Sequence, residues 1–174
     1  MTLKSAKGLR QSQLKSVRPM RKKGRLNKNG KTSISQLKKD ADDLFSTYVV
    51  YRDGQKRADG WHSQCITCDK WIKLVYKKDG TIDRRPIHWG HFQSSRHNIT
   101  RYHPENVNAQ CSFCNVRNQG EQYKYSHALD FKYGDGTAAK LAQLSKELHP
   151  FTAEELQGII SETREELDKY INLS

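Results

Sequence analysis

Apolar side chains recur with helical spacing at two widely separated places in the chain. In the first, they recur every three or four residues between Ser33, a favourable helix N-cap, and Asp53-Gly54, a typical helix end. In the second, Thr152 and Glu155 form a capping box ahead of an acidic segment whose apolar face covers residues 156–171. The pattern therefore predicts one helix at the start of a folded region and another at its end.

The stretch between these two helices contains shorter patterns of both kinds. Runs with Val, Ile, Tyr and Trp, broken by a Lys-Asp-Gly turn, predict a small antiparallel hairpin with arms at residues 73–76 and 81–87. Helical spacing returns from Asn115 to about Tyr133, and a further helix is predicted over residues 137–148. Together these elements predict an α+β fold.

Positive charge is concentrated in the first 31 residues. They hold eleven of the 31 Lys and Arg residues and no acid, which leaves 20 basic against 19 acidic residues elsewhere. A block of like charge with few apolar residues favours disorder and a polyanionic partner, so we predict a disordered, DNA-contacting tail over residues 1–31. A role in solubility, or contact with RNA or anionic lipid, is the alternative. The tail residues expected at phosphates are Arg21, Lys22, Lys23 and Arg25.

The composition limits the size of the core and the cellular location. Only 34% of the residues are hydrophobic, so a compact core needs additional stabilisation. No apolar run approaches the roughly 18 residues of a membrane span, and no secretory h-region follows the basic start. We expect a soluble, cytoplasmic protein with no membrane partner.

All four cysteines belong to two CxxC pairs, which are separated by residues 69–110. Two such pairs complete the tetrahedral thiolate shell that zinc prefers, and zinc binding adds folding free energy that a small hydrophilic core lacks. Two disulfides or a redox dithiol are the alternatives. Four thiolates leave zinc no open position, so we predict a structural zinc ion on Cys65, Cys68, Cys111 and Cys114.

Polar residues with catalytic potential lie around the second cysteine pair. His91 is followed by Asn106, five residues before Cys111, and by Asn115, directly after Cys114. The stretch GHFQSSRHNITRYHPENVNAQCSFCN, with QLKKDADDLFSTYVVYRDG before it and KYG after it, resembles the NinG (Rap) recombination proteins of lambdoid bacteriophages. The resemblance covers roughly residues 33–150. More distantly, the finger is similar to those of HNH endonucleases and of endonuclease VII.

The resemblance implies a role for each matching residue. His91 corresponds to the general base, and a neutral imidazole can take a proton from the attacking water. Asn106 corresponds to the residue that orients this histidine. Asn115 corresponds to a side-chain ligand of a catalytic Mg²⁺ or Mn²⁺ ion. His88 has a counterpart in the junction-resolving enzyme and is expected to assist the same ion or the phosphate.

Gly90 departs from the HNH pattern, in which an aspartate stands immediately before the catalytic histidine. The main anionic ligand of the catalytic ion is therefore missing from its expected place. Asp83, Glu105, or the phosphates and water of a bound substrate are the alternatives for the missing oxygens, and the sequence does not choose among them.

Further arginines lie close to the predicted catalytic loop or the cysteine pairs. A guanidinium binds phosphate in a bidentate manner, so we expect DNA contacts there, with a solvated surface role as the alternative. These arginines are Arg84, Arg85, Arg96, Arg101 and Arg117.

By this resemblance the fold is a small zinc-stabilised treble-clef domain of the ββα-metal, HNH-like type with flanking helices. We expect a nuclease domain over residues 32–150 and an acidic C-terminal helix over residues 151–174. The implied function is a metal-dependent endonuclease acting on branched DNA, such as Holliday junctions and D-loops, in a phage-infected bacterium. The implied partners are branched DNA, a second copy of the chain, and phage or host recombination proteins. A non-catalytic zinc module that binds DNA or a recombination protein, and an RNA-binding zinc ribbon, are the alternatives.

Overall fold

The first helix of the fold agrees with the sequence pattern at both ends. The structure is a computed structural model that describes residues 32–172, so the predicted basic tail and its DNA-contacting residues lie outside the described residues. Helix α1 (Ile34–Arg52) begins after Ser33, whose side chain accepts a hydrogen bond from the backbone N–H of Gln36. It ends at Asp53, as predicted.

Within residues 32–172, five strands form two antiparallel sheets. The first sheet contains β1 (Gly54–Arg57), β2 (Gly60–Gln64) and β3 (Trp71–Lys73) in that order. The second sheet is a hairpin of β4 (Ile87–His91) and β5 (Val107–Cys111), in which Ile87 lies opposite Cys111 and His91 lies opposite Val107. This second hairpin carries the predicted site residues.

The hairpin predicted from residues 73–76 and 81–87 is confirmed at its turn and wrong at the outer ends of its arms. Near the turn, an antiparallel bridge joins Tyr76 to Ile82, flanked by two backbone hydrogen bonds of 2.7 and 2.8 Å. Lys73, however, ends β3, which pairs with β2. Ile87 begins β4 and pairs with the distant β5. Local alternation indicated strands in this region, but it did not identify the partner strand, which lies beyond a long loop.

The helices after the second hairpin are shorter than the sequence pattern predicts. A π-helix (Phe113–Arg117) follows β5, and α3 (Gln122–Tyr133) begins only after a break at residues 118–121. In this break Gln119, Gly120 and Glu121 all have positive φ, which a continuous right-handed helix excludes. The next helix, α4 (Thr137–Leu144), also ends before the predicted residue 148.

The last helix packs against the first. Helix α5 (Ala153–Asn172) begins at the predicted capping box, in which the Thr152 N–H donates to Glu155 Oε2 over 2.8 Å and the Glu155 N–H donates to Thr152 Oγ1 over 3.1 Å. Its apolar face joins α1 and the second hairpin in one core, whose fully buried members include Val49, Val50, Ile87, Val107, Ala109 and Leu156.

A smaller core lies between α3 and α4 and contains Tyr125, Leu129, Ala138 and Leu141. A short helix, α2 (Asn98–Arg101), lies in the loop between β4 and β5. None of the helices within residues 32–172 combines the length and the apolar character that a membrane crossing requires. The predicted mixture of helices and strands is confirmed.

Candidate functional site

The four cysteines lie together at one end of the second hairpin. Their Sγ atoms all lie within 4.8 Å of one another, and the Sγ atoms of Cys68 and Cys111 are 3.8 Å apart. A disulfide needs about 2.05 Å, whereas a tetrahedral ion with bonds of about 2.3 Å places sulfur atoms about 3.8 Å apart. None of the four cysteines forms a disulfide. The cluster could therefore hold a metal ion such as zinc, with all four sulfur atoms as ligands.

The two cysteine pairs come from separate elements. Cys65 follows β2, and a tight turn brings Cys68 back, with the Asp69 N–H donating to the carbonyl oxygen of Cys65 over 2.9 Å. Cys111 ends β5, and Cys114 lies in the π-helix. A bound ion would thus join the first sheet to the second hairpin.

His91 is the last residue of β4, and its imidazole is held from both sides. Nε2 lies 3.1 Å from the carbonyl oxygen of Arg101, and the Trp89 ring packs edge-on with the ring centroids 4.6 Å apart. Burial lowers the pKa of His91 to about 4, so the ring is neutral at physiological pH. Because a carbonyl oxygen only accepts, the Arg101 contact favours the tautomer with the ring proton on Nε2 and the lone pair on Nδ1, and the Trp89 backbone also contacts the ring.

Arg101 positions this histidine through its backbone, while its side chain is bound to helix α1. Its Nε and Nη2 donate to the two carboxylate oxygens of Asp42 over 2.9 and 2.6 Å, and the hydroxyl of Tyr102 donates to Asp42 over 2.8 Å. The guanidinium group is thus occupied by an ion pair within the protein, which argues against the phosphate contact predicted for Arg101.

Asn106 joins the two ends of the loop that contains α2. The side chain is fully buried; Oδ1 accepts from the Gln93 N–H over 2.7 Å, and Nδ2 donates to the carbonyl oxygens of Gln93 and Thr100 over 3.0 and 2.9 Å. The amide oxygen and the amide nitrogen thus both bond to the backbone of this loop. This geometry fits the orienting role that the resemblance implies.

Asn115 lies in the middle of the π-helix and is half-buried. Within residues 32–172 its side-chain amide makes no hydrogen bond, in contrast to Asn106. π-helical turns are rare and are frequent at functional sites. The amide oxygen is therefore available to a ligand.

His88 and His91 leave opposite faces of β4, because they lie three residues apart in a strand. The Nε2 atom of His88 lies 2.9 Å from Ser112 Oγ. Burial lowers the pKa of His88, and the positive charge of Arg84 acts in the same direction. The structure therefore does not place the two histidines side by side.

The remaining arginines fall into two groups. Arg84 is bound to α1, donating to the Ser46 carbonyl oxygen over 2.6 Å and to Thr47 Oγ1 over 2.7 Å. Arg85 pairs with the Asp83 carboxylate, with Nε lying 2.9 Å from Oδ2. Arg96 and Arg117 are exposed and have no side-chain partner in the part of the chain that the structure describes. Among the five, these last two have guanidinium groups without a partner in the described residues, and the paired Arg85 side chain is also 90% exposed.

Two residues at the site were not predicted as site residues from the sequence. Gln110 lies beside Gly90 and is 1% exposed; its Nε2 donates to the Gly120 carbonyl oxygen over 2.8 Å. The Tyr125 hydroxyl donates to the Gly90 carbonyl oxygen over 2.9 Å and accepts from the Asn108 N–H over 3.1 Å. Tyr125 thereby fixes α3 to both strands of the hairpin. Only its helical spacing, as an apolar position of α3, was visible in the sequence.

Of the two acids predicted as substitutes for the side chain missing at Gly90, one is paired and one is not. Asp83 is occupied by Arg85. Glu105 is half-buried in the loop before β5. Among the described residues, no other group of three or more His, Cys, Asp or Glu side chains comes as close together as the four cysteines. The Glu105 carboxylate has no partner within the described residues, so it, water and substrate phosphates are the oxygens left for an ion at Asn115.

Comparison with known proteins identifies the family. The sequence matches the family described as NinG, bacteriophage lambda NinG protein, over residues 1–172, which is nearly the whole chain. A search of curated proteins and a search of solved structures found no match. The chain, with its paired cysteines and the histidine and asparagine residues around them, belongs to the NinG family.

Proposed function

We propose that the protein is a metal-dependent DNA endonuclease whose active site is an HNH-like ββα-metal finger of the treble-clef type. The finger comprises β4, β5 and the segment from the π-helix to α3, with a structural zinc on the four cysteines. The observation that carries the proposal is the placement of His91 at the end of β4, where its Nε2 lies 3.1 Å from the Arg101 carbonyl oxygen and the Trp89 ring packs against it. Its imidazole is neutral at physiological pH, so it has a lone pair that can accept a proton from water.

In this mechanism each residue acts on one part of a phosphodiester. His91 Nδ1 accepts a proton from the water that attacks phosphorus, and Asn106 keeps the loop and its Arg101 carbonyl in place. Asn115 Oδ1 would hold Mg²⁺ or Mn²⁺, since amide oxygens suit these ions. When bound, the ion supplies charge stabilisation for the pentacoordinate phosphorus and the leaving 3′-oxygen.

DNA is the proposed partner because of charge. Arg96 and Arg117 are exposed on the loop and on the π-helix, and both have unpaired guanidinium groups within the described residues. Residues 1–31 contribute eleven further positive charges, which give a salt-sensitive affinity without sequence readout. The preference for branched recombination intermediates, and a homodimer acting on them, rest on the family resemblance alone.

One observation favours a second candidate function. The side chain that would provide the acidic metal ligand is absent at Gly90, and Asp83 is paired with Arg85. A finger that binds no catalytic ion would be a non-catalytic zinc module that binds DNA or a recombination protein. This candidate predicts full DNA affinity without cleavage.

A cleavage assay separates the two functions. Purified full-length protein is incubated with Mg²⁺ or Mn²⁺ and labelled four-way junction, D-loop, flap or linear duplex. We expect cleavage of branched substrates by the wild type and by His127→Ala, which removes an exposed histidine on α3. His91→Ala is expected to bind the junction without cutting it. Binding without cleavage by the wild type, under either metal, supports the non-catalytic module.

A further inference from the structure

The first sheet has one face turned to the core and one face turned to solvent. Residues directly opposite one another in neighbouring strands share a face, and successive residues of a strand alternate between the two faces. The inner face includes Trp61 and Ile72, which pack against the main core. The residues of the other face, which we call the outer sheet face, are Gln55, Arg57, His62, Gln64, Trp71 and Lys73.

The outer sheet face is open and contains an exposed tryptophan. Gln55, Arg57, Trp71 and Lys73 are all exposed, so no element within residues 32–172 covers them. The Cζ atom of Arg57 lies over the Trp71 ring, 4.3 Å from the ring centroid. Nucleic-acid bases stack on both kinds of planar group, the aromatic ring and the guanidinium. The pair therefore has the chemistry of a base-stacking surface.

Positive charge in the folded region is concentrated around this sheet. Residues 54–78, which contain all three strands, hold six Lys and Arg residues and two acids, whereas residues 32–53 and 79–174 together hold 14 basic and 17 acidic residues. Of the two acids, Asp69 lies in the turn of the first cysteine pair, and Asp59 pairs with Lys73 over 3.1 Å. Both side chains of that pair are at least half exposed, so it adds little stability and Lys73 can exchange it for a phosphate. The charge of this sheet complements a polyanion.

The first sheet is joined directly to the hairpin that carries His91. The Ile66 N–H, inside the first cysteine pair, donates to the Ala109 carbonyl oxygen of β5 over 2.9 Å. A zinc ion on the four cysteines would add a second link between the two sheets. A ligand on the outer sheet face would thus be held at a fixed position relative to His91.

We propose that the outer sheet face binds a single-stranded segment of DNA, with one base stacked on Trp71 and the adjacent phosphates on Arg57 and Lys73. The inference rests on DNA as the substrate in the proposed function, and it names unpaired bases as the feature of that substrate which is recognised. Exposed aromatic rings bind unpaired bases of any sequence, because every base has a stacking face. Bases of a duplex are already stacked on one another. D-loops and flaps contain a single-stranded segment, whereas a linear duplex does not.

Binding of short oligonucleotides tests the outer sheet face without any DNA cleavage. Full-length protein is titrated into a labelled oligothymidylate of about twelve nucleotides, or into a duplex of the same length, and fluorescence anisotropy gives both affinities. We expect Trp71→Ala to weaken single-strand binding about tenfold, from the loss of one stacked base, and duplex binding less than about twofold. Arg57→Gln and Lys73→Gln should each weaken single-strand binding about threefold. The basic tail is present in every variant, so its contribution cancels.

Two variants are matched controls, and a third retains the stacking ring. Phe131→Ala removes an exposed aromatic ring from α3, and Lys169→Gln removes the positive charge of an exposed ion pair from α5; both should bind the two DNAs as the wild type does. Trp71→Phe should keep the single-strand affinity within about twofold. It should lose, however, the quenching of tryptophan fluorescence that the oligothymidylate causes in the wild type.

The outcomes separate this inference from the proposed function. Unchanged single-strand affinity in folded Trp71→Ala, an equal loss of duplex affinity, or quenching retained in Trp71→Phe would overturn the assignment. Zinc content and thermal unfolding verify that each variant is folded, and Trp71→Phe still decides if Trp71→Ala does not fold. If the wild type binds single strands through Trp71 but cuts no DNA, the assignment stands and the endonuclease proposal fails. If branched DNA is cut while Trp71→Ala binds single strands as the wild type does, the assignment fails and the endonuclease proposal stands.

Discussion

Gln110 occupies the space into which a side chain at Gly90 would project. The Cβ atom of Gln110 lies 2.8 Å from the position of a Cβ atom on residue 90, a separation that real Cβ atoms do not adopt. The backbone of Gly90 does not have positive φ, so the glycine is required by this close approach and not by its own conformation. Residues 90 and 110 therefore constrain each other's size.

Gly90→Ala is expected to destabilise the protein by about 1–3 kcal/mol, because the added methyl overpacks against Gln110. Urea unfolding measures the change. Gly158→Ala is the matched control, since nothing lies within 4 Å of its added methyl and the residue is inside α5. There we expect a gain of about 0.5–1 kcal/mol from helix propensity. Equal effects at both positions would contradict the packing relationship.

Asp42→Asn is expected to lower the cleavage rate while leaving the affinity for DNA unchanged. The substitution weakens the ion pair that holds Arg101, whose carbonyl oxygen positions His91. Single-turnover rates and junction affinity give the two quantities. Glu166→Gln breaks a solvent-exposed pair with Lys169 on α5 and serves as the control, with no expected change in either quantity. A parallel loss of DNA binding in Asp42→Asn would argue against a positioning role.

His91 makes stability depend on pH below neutrality. Burial lowers the pKa of His91 to about 4 in the folded protein, whereas the unfolded chain has a value of about 6.5. Between these values the unfolded state binds more protons, so stability falls as the pH decreases from about 6.5 to about 4. His91→Gln should reduce this slope in urea unfolding, and the exposed His127→Gln should not. The same slope in wild type and His91→Gln would contradict the assignment.

Metal removal should unfold the finger. If the four cysteines bind zinc, chelation or Cys111→Ser removes stabilisation on the order of 10 kcal/mol, and the thermal transition should fall or disappear. Elemental analysis should find one zinc per chain. Ser161→Ala, at an exposed position of α5, is a control that should retain the metal. Full stability of a protein without metal would contradict a structural zinc site.

The sequence predicted those parts of the fold that local chemistry determines. Ser33 and the Thr152-Glu155 capping box define the starts of α1 and α5 through hydrogen bonds within three residues. The two CxxC pairs predicted the cluster of four cysteines, because the CxxC spacing directs both thiols of a pair to one ion.

Other parts depend on partners distant in the sequence. The sequence did not predict strand β5, because Asn108 and Gln110 are polar residue types that are usually exposed to solvent. In the structure both are buried. The break before α3 was also missed, since Gln119 and Glu121 rarely adopt positive φ. The buried position of Gln110 exists only once Gly90 and the turn at Gly120 are in place.

Chemical rescue of His91→Ala on a four-way junction tests the central claim most directly. With Mn²⁺ and saturating full-length protein, we predict that the variant binds the junction as tightly as the wild type, loses cleavage by about 100-fold or more, and regains part of it when imidazole is added. Undiminished cleavage by His91→Ala, or no cleavage by the wild type while the junction stays bound, would contradict the role of His91 as the base.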